Sequence, residues 1–192
     1  MFTEKFTRLK NPYCSITSRD DISDIILALS TSSHQLKELY LKYCQSLTPY
    51  SDLTGLAIGC GMLETINLAG SECFLCMHSI FGQFKNLTEL NLFQCKNLHS
   101  KALVNIAEVC ENLEKLNIDE TSYLSDDSIN TLIYLRGDRL KMLWIDGGSL
   151  SDESFCNFEK MDKLELLSIS FSFNMGARGL ASIAKLEKLG DC

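Results

Sequence analysis

Leu36-Lys-Glu-Leu39-Tyr-Leu41-Lys-Tyr-Cys44 is a sentence that the chain says six times. Its form is Leu-x-x-Leu-x-Leu-x-x-(Cys or a small residue). It returns as Leu63, Ile66, Leu68 and Ser71, then as Leu87, Leu90, Leu92 and Cys95. The later copies are Leu113, Leu116, Ile118 and Thr121; Leu140, Leu143, Ile145 and Gly148; and Leu164, Leu167, Ile169 and Ser172. The first residues stand at 36, 63, 87, 113, 140 and 164, so the spacings are 27, 24, 26, 27 and 24. A sustained period of this size decides the architecture before any single residue does.

The period and the motif are those of a leucine-rich repeat. The x-Leu-x-Leu-x core alternates with period two, which makes a short strand with the leucines inward. The ninth position turns the chain into the interior, so Cys44, Ser71, Cys95, Thr121, Gly148 and Ser172 are expected as buried small residues. After the strand comes a polar residue and then apolar residues at helical spacing. Ser100, Ser125 and Ser151 are the expected helix caps, and Asp126, Asp127, Asp152 and Glu153 suit the positive end of a helix dipole. The expected fold is α/β: a solenoid of about six to seven repeats, with parallel strands on the concave side and helices on the convex side.

The ends frame this stack. Residues 1–35 read as a degenerate repeat or cap, with Phe6, Leu9 and Cys14 in motif positions, Asn11 in an apolar slot and a helix over 24–30. Residues 36–192 are the solenoid proper. Leu186-Glu-Lys-Leu189 opens another motif that is incomplete at Cys192, which leaves an uncovered apolar end.

Composition narrows the function. The formal charge is −7, and the stretch from Glu111 to Glu165, with thirteen acidic and six basic residues, supplies a net −7 by itself. No basic face exists to hold nucleic acid. No apolar run is long enough to span a membrane, and the N-terminus lacks the apolar core of a secretory signal. Of the nine cysteines, Cys44 and Cys95 fill the ninth position, and Cys60 and Cys110 each lie three residues before the next motif. A cysteine placed by repeat register is a small buried hydrophobe. Free thiols in a cytoplasmic or nuclear setting are expected.

No constellation for catalysis stands out. Cys73-Phe-Leu-Cys76 with His78 is one cysteine pair without a second, which is weak support for zinc. His34, His78 and His99 have no nucleophile paired to them by pattern, and the Gly147-Gly148 and Gly176–Gly179 stretches lack phosphate-loop spacing. Neither enzyme activity, cofactor nor metal is expected.

The outward strand positions carry the functional signal. Between the two strand leucines stand Tyr40, Asn67, Asn91, Asn117, Trp144 and Ser168. Two residues on come Lys42, Ala69, Phe93, Asp119, Asp146 and Ser170, and then Tyr43, Gly70, Gln94, Glu120, Gly147 and Phe171. Exposed aromatics beside charges are the usual anchors of a protein interface. Tyr40, Phe93, Asp119, Glu120, Trp144, Asp146 and Phe171 are the expected contacts for a protein partner with basic groups.

Cysteine at the ninth position and before the next motif, together with Ser125-Asp126 and Ser151-Asp152, resembles the cysteine-containing subclass of leucine-rich repeats. The match is fullest over Cys95, Leu98, Leu103, Ile106, Ala107, Cys110 and Leu113. This subclass is typical of F-box/leucine-rich-repeat proteins and is similar to the antagonist-of-mitotic-exit family. The resemblance implies substrate recognition for a Skp1–cullin–F-box ubiquitin ligase. A structural or adaptor role in a larger complex is the alternative, because residues 1–35 contain no Leu-Pro helical segment to dock Skp1.

Overall fold

A computed structural model describes residues 8–11, 24, 27–31, 34–44, 52–71, 81–121 and 124–190. Seven strands form one parallel sheet in chain order: β1 (Arg8–Asn11), β2 (Glu38–Leu41), β3 (Thr65–Asn67), β4 (Glu89–Asn91), β5 (Lys115–Ile118), β6 (Met142–Asp146) and β7 (Leu166–Ser170). The register is the motif itself. Leu39, Ile66, Leu90, Leu116, Leu143 and Leu167 are partners across the ladder. β1 pairs with β2 from Arg8 opposite Glu38 to Asn11 opposite Leu41.

The returning segments form a second layer: α1 (Asp52–Gly59), α2 (Ser100–Val109), α3 (Asp126–Arg136), the single turn α4 (Asp152–Phe155) and α5 (Ala177–Ile183). Phe81–Gln83 and Phe158–Lys160 are 3-10 turns in the same layer. The strand leucines and the inner faces of these segments share one continuous core. Packed helices need about 8–10 Å between axes, whereas paired strands need about 4.8 Å. The stack therefore bends with the sheet on its inside.

Each strand ends in the same turn. Position eight of the motif is left-handed at Tyr43, Gln94, Glu120 and Phe171, and at Gly70 in the second copy. At the ninth position Cys44, Ser71, Cys95 and Thr121 are buried. The Ser71 hydroxyl donates to Leu41 O at 3.0 Å, and the Cys95 thiol donates to Leu68 O at 3.3 Å. In these two repeats the side-chain hydrogen ties the turn to the repeat before, whereas the Thr121 hydroxyl donates to Ile118 O in its own repeat at 2.7 Å.

Several expectations are corrected. Gly148 is exposed and Ser172 only half-buried. In the fifth copy the strand runs on to Asp146 and Gly147 takes the interior position, where a β-carbon would meet Ile169 Cγ2 at 3.0 Å. Ser100 is not a cap. His99 precedes α2 without a side-chain bond, and Ser100 Oγ instead accepts the N–H of Ser125 at 2.8 Å. Ser125 caps α3 through a reciprocal bond with Ser128, and Ser151 caps α4 through Glu153 N.

The C-terminal register also moves by three. Leu189, not Leu186, opens the next rung: Gly190 N donates to Glu165 O, as Glu165 N does to Lys141 O one rung earlier. Leu186 occupies the slot that Cys60, Cys110 and Met161 fill elsewhere, three residues before each motif. On β7 the inward Leu167 and Ile169 are only half-buried, whereas Leu143 and Ile145 on β6 are fully buried.

Candidate concave recognition site

Rows of side chains run across the strands on the sheet's inner face, and several of their members are already committed. In the middle row Asn67, Asn91 and Asn117 each use Oδ1 to accept the N–H two residues on, at Ala69, Phe93 and Asp119. These asparagines fasten the turn that ends their own strand. Trp144 interrupts the row, between Asn117 and Ser168 in register, and is half-buried. Tyr40 stands in the same row four strands away, about 19 Å at ordinary strand spacing. Its hydroxyl donates to Glu38. It is not part of one cluster with Trp144.

Charge is distributed unequally between the two ends of the strands. At their N-terminal ends carboxylates meet lysines of the neighbouring rung: Lys37 with Glu64 at 2.6 Å, Lys115 with Glu89 at 3.5 Å and Lys141 with Glu114 at 2.8 Å. At the C-terminal ends Asp119, Glu120 and Asp146 have no ion-pair partner among the described residues. Their positions are fixed by hydrogen bonds. Asp119 Oδ1 accepts from Glu120 N at 2.9 Å and from the Ser170 hydroxyl. Gln94 Nε2 donates to Glu120 Oε2 at 2.7 Å, and Gly148 N donates to Asp146 Oδ1 at 2.8 Å.

Glu120 and Asp146 line an open cavity of about 460 Å³. Phe171 and Phe173 line it with them, 53% and 82% exposed, their rings 6.1 Å apart and tilted by 48°. Thr121, Gly148 and Ser149 also line it. Three of the expected contacts thus converge: Glu120, Asp146 and Phe171. Asp119 does not line the cavity, and Phe93 and Trp144 lie along the sheet from it. Phe173 and Ser149 were not expected. The Phe171-Ser-Phe173 pair was visible in the sequence, but the motif gives no address beyond the ninth position.

Elsewhere the chemistry is quiet. Cys60, Cys95, Cys110 and Cys156 are free thiols. Burial pushes the Cys60 thiol up to about 11 and the Cys110 thiol to about 12, so neither is a nucleophile at neutral pH. Cys73, Cys76 and His78 lie outside the described residues. Among the described residues no cluster of metal-ligating side chains occurs, and no helix is long and apolar enough to cross a membrane.

Behind the sheet, the acids of the Ser-Asp pairs join repeats. Asp126 accepts from Ser151 N at 2.9 Å, from Ser151 Oγ at 2.6 Å and from Ser154 Oγ at 2.7 Å. Burial alone would raise its pKa; these bonds outweigh burial and hold it below the usual carboxylate value. Asp152 does the same one repeat later, accepting from Gly176 N at 2.7 Å and Gly179 N at 2.9 Å.

The architecture has counterparts among solved structures. An internalin from Listeria monocytogenes superposes with a TM-score of 0.56 at 15% identity, over 85% of this chain and 49% of that one. The functional domain of InlJ from Listeria monocytogenes, which includes a cysteine ladder, gives 0.53 at 11% identity, over 81% of this chain and 29% of the other. The chain has the leucine-rich-repeat fold. No protein-family model matches the sequence. The DNA repair protein rhp7 of Schizosaccharomyces pombe is 28% identical over 167 residues, which are 80% of this chain and 28% of that protein. The chain thus spans under a third of the relative's length.

Proposed function

We propose that the chain is a non-enzymatic recognition module that holds a protein partner against the concave sheet of repeats three to six. The observation that carries this reading is the imbalance of charge. Three carboxylates at the N-terminal ends of the strands are paired with lysines within the chain, while Glu120 and Asp146 at the other end are oriented, without an ion-pair partner among the described residues, and flanked by aromatics. Basic groups on the partner complete them. Trp144 offers the flat apolar anchor of the same face.

In its finer form the reading makes the chain the substrate-recognition part of a Skp1–cullin–F-box ligase, working in the cytoplasm or nucleus. Support comes from the resemblance to the cysteine-containing subclass and from the buried free thiols. The relative's name adds DNA repair as a setting. Purified Skp1 tests the ligase form: direct binding supports it, and absence of binding removes it. Affinity capture tests the concave face. Trp144→Ala should reduce capture strongly with the fold intact, whereas Glu108→Lys on the convex helix α2 should leave it unchanged. The reverse pattern refutes the concave site.

A second reading, assembly into a larger complex through the C-terminal end, is favoured by one observation. The inner residues of β7 remain half-exposed although their counterparts in the preceding strands are buried.

A further inference from the structure

The cavity at the C-terminal ends of β5 to β7 combines four properties that select a ligand. Its charge is negative, and neither carboxylate has an ion-pair partner among the described residues. Its two carboxylates come from adjacent rungs, whose backbones lie about 4.8 Å apart in the sheet. Each has one oxygen anchored, Glu120 by Gln94 and Asp146 by the Gly148 N–H, which orients the group before anything binds. Two phenyl faces are left in solvent, where an apolar ring gains nothing.

We propose that this cavity takes an arginine side chain of the protein partner, its guanidinium bridging Glu120 and Asp146 and its flat face against Phe171 and Phe173. The proposal rests on the recognition reading above, which supplies the partner, and adds the residue type it must present. A guanidinium carries donors on several edges of one plane and stacks on aromatic rings, so it satisfies two carboxylates and a phenyl face together. A lysine ammonium is a compact, strongly hydrated point charge and engages the rings less well. A hard metal ion needs about six or more oxygens, and the phenyl walls offer none. A nucleic-acid phosphate meets the wrong sign. Gly148 keeps the floor open, since a β-carbon there would lie 3.0 Å from Asp146 Oδ1 and 3.5 Å from Phe171 Cβ.

The probe is a peptide. The full chain, labelled with nitrogen-15, is titrated with acetyl-Gly-Arg-Gly-amide, with the lysine analogue and with the uncharged citrulline analogue. The arginine peptide should shift the Gly148, Ser149 and Phe173 amides saturably. Lysine should bind more weakly, and citrulline should leave these resonances in place. Asp146→Asn, at a half-buried position, and Phe173→Ala, at an exposed one, should each weaken the arginine peptide about fivefold. Gly148→Leu, which fills the floor without removing charge, should abolish the shifts. Equal effects of arginine and citrulline, or arginine shifts of the same size at the Glu64 and Glu114 edge, overturn the proposal. If the peptide fails while Trp144-dependent capture of a partner persists, the arginine pocket is wrong and the recognition reading stands. Saturable arginine binding without Trp144-dependent capture keeps the pocket and removes the concave reading.

Discussion

Replacing Asp126 with alanine should cost about 2–3 kcal/mol, more than an exposed polar residue ordinarily commands. Asp126 accepts three hydrogen bonds, all from the next repeat, and one donor, the Ser154 hydroxyl, is fully buried. Bonds to a charged acceptor are worth ~1.5–3 kcal/mol each when intact. The sum is not realised, because Ser151 can turn to water once the carboxylate is gone. Ser154 cannot, and a buried hydroxyl left without its acceptor costs ~1–3 kcal/mol by itself. The double variant with Ser154→Ala should therefore cost less than the two single changes added together, by at least ~0.5 kcal/mol. Urea unfolding followed by the fluorescence of Trp144 is the natural assay, since the only tryptophan stands on β6, the strand that connects α3 to α4 in the chain. An Asp126→Ala variant within 0.5 kcal/mol of the parent, or strict additivity with Ser154→Ala, refutes the reasoning. Either result means that the bonds between repeats contribute geometry and no net stability.

The same acids set a pH dependence. Asp126 and Asp152 are held below the usual carboxylate value in the fold, so their stabilisation is complete above about pH 4 and is lost as pH falls through the lowered values. Removing Asp126 should flatten stability against pH in that acid range, and an unchanged slope speaks against it. Cys95→Arg should prevent folding, because it puts an unpaired charge in a fully buried slot, and thermal melting checks this. Denatured, never-oxidised protein should titrate as nine thiols, with Cys60 and Cys110 reacting only after unfolding; a disulfide in that material contradicts the expectation. The half-exposed β7 edge should make the isolated chain self-associate, and Ile169→Lys should suppress this in light scattering. A clean monomer at high concentration removes that prediction.

The fold was legible because its determinants are periodic. Burying a leucine every two residues on a strand, and repeating the strand every 24–27 residues, leaves one way to stack. The register that the motif implies matches the ladder at each pair from β2 to β7. Errors arose where one repeat departs from its neighbours. Gly148 has the ninth-position address, but β6 runs longer and Gly147 goes inside in its place. Leu186 and Leu189 both fit Leu-x-x-Leu, and only the bond from Gly190 to Glu165 identifies which one opens the rung. Ser100, Asp126 and Asp152 occupy one address, and each bonds forward to the following repeat. The sequence showed their type and position but not that direction.

The concave site was half legible for a related reason. Alternation tells which residues face outward and picks out Asp146 on that ground; Glu120 and Phe171 were picked out as the residues just beyond the outward positions. It does not tell which outward residues remain free. Asn91 and Asn117 face outward yet are consumed in fastening their own turns, and Asp119 is held by Ser170 two strands away. A residue is available for recognition when the ladder does not need it, and that is a property of neighbours about 25 residues apart. Trp144 satisfies the condition by breaking the asparagine row. Phe173 satisfies it by lying past the motif, where no repeat contact claims it. The departures from periodicity that blur the fold are therefore where this chain's specificity should be sought.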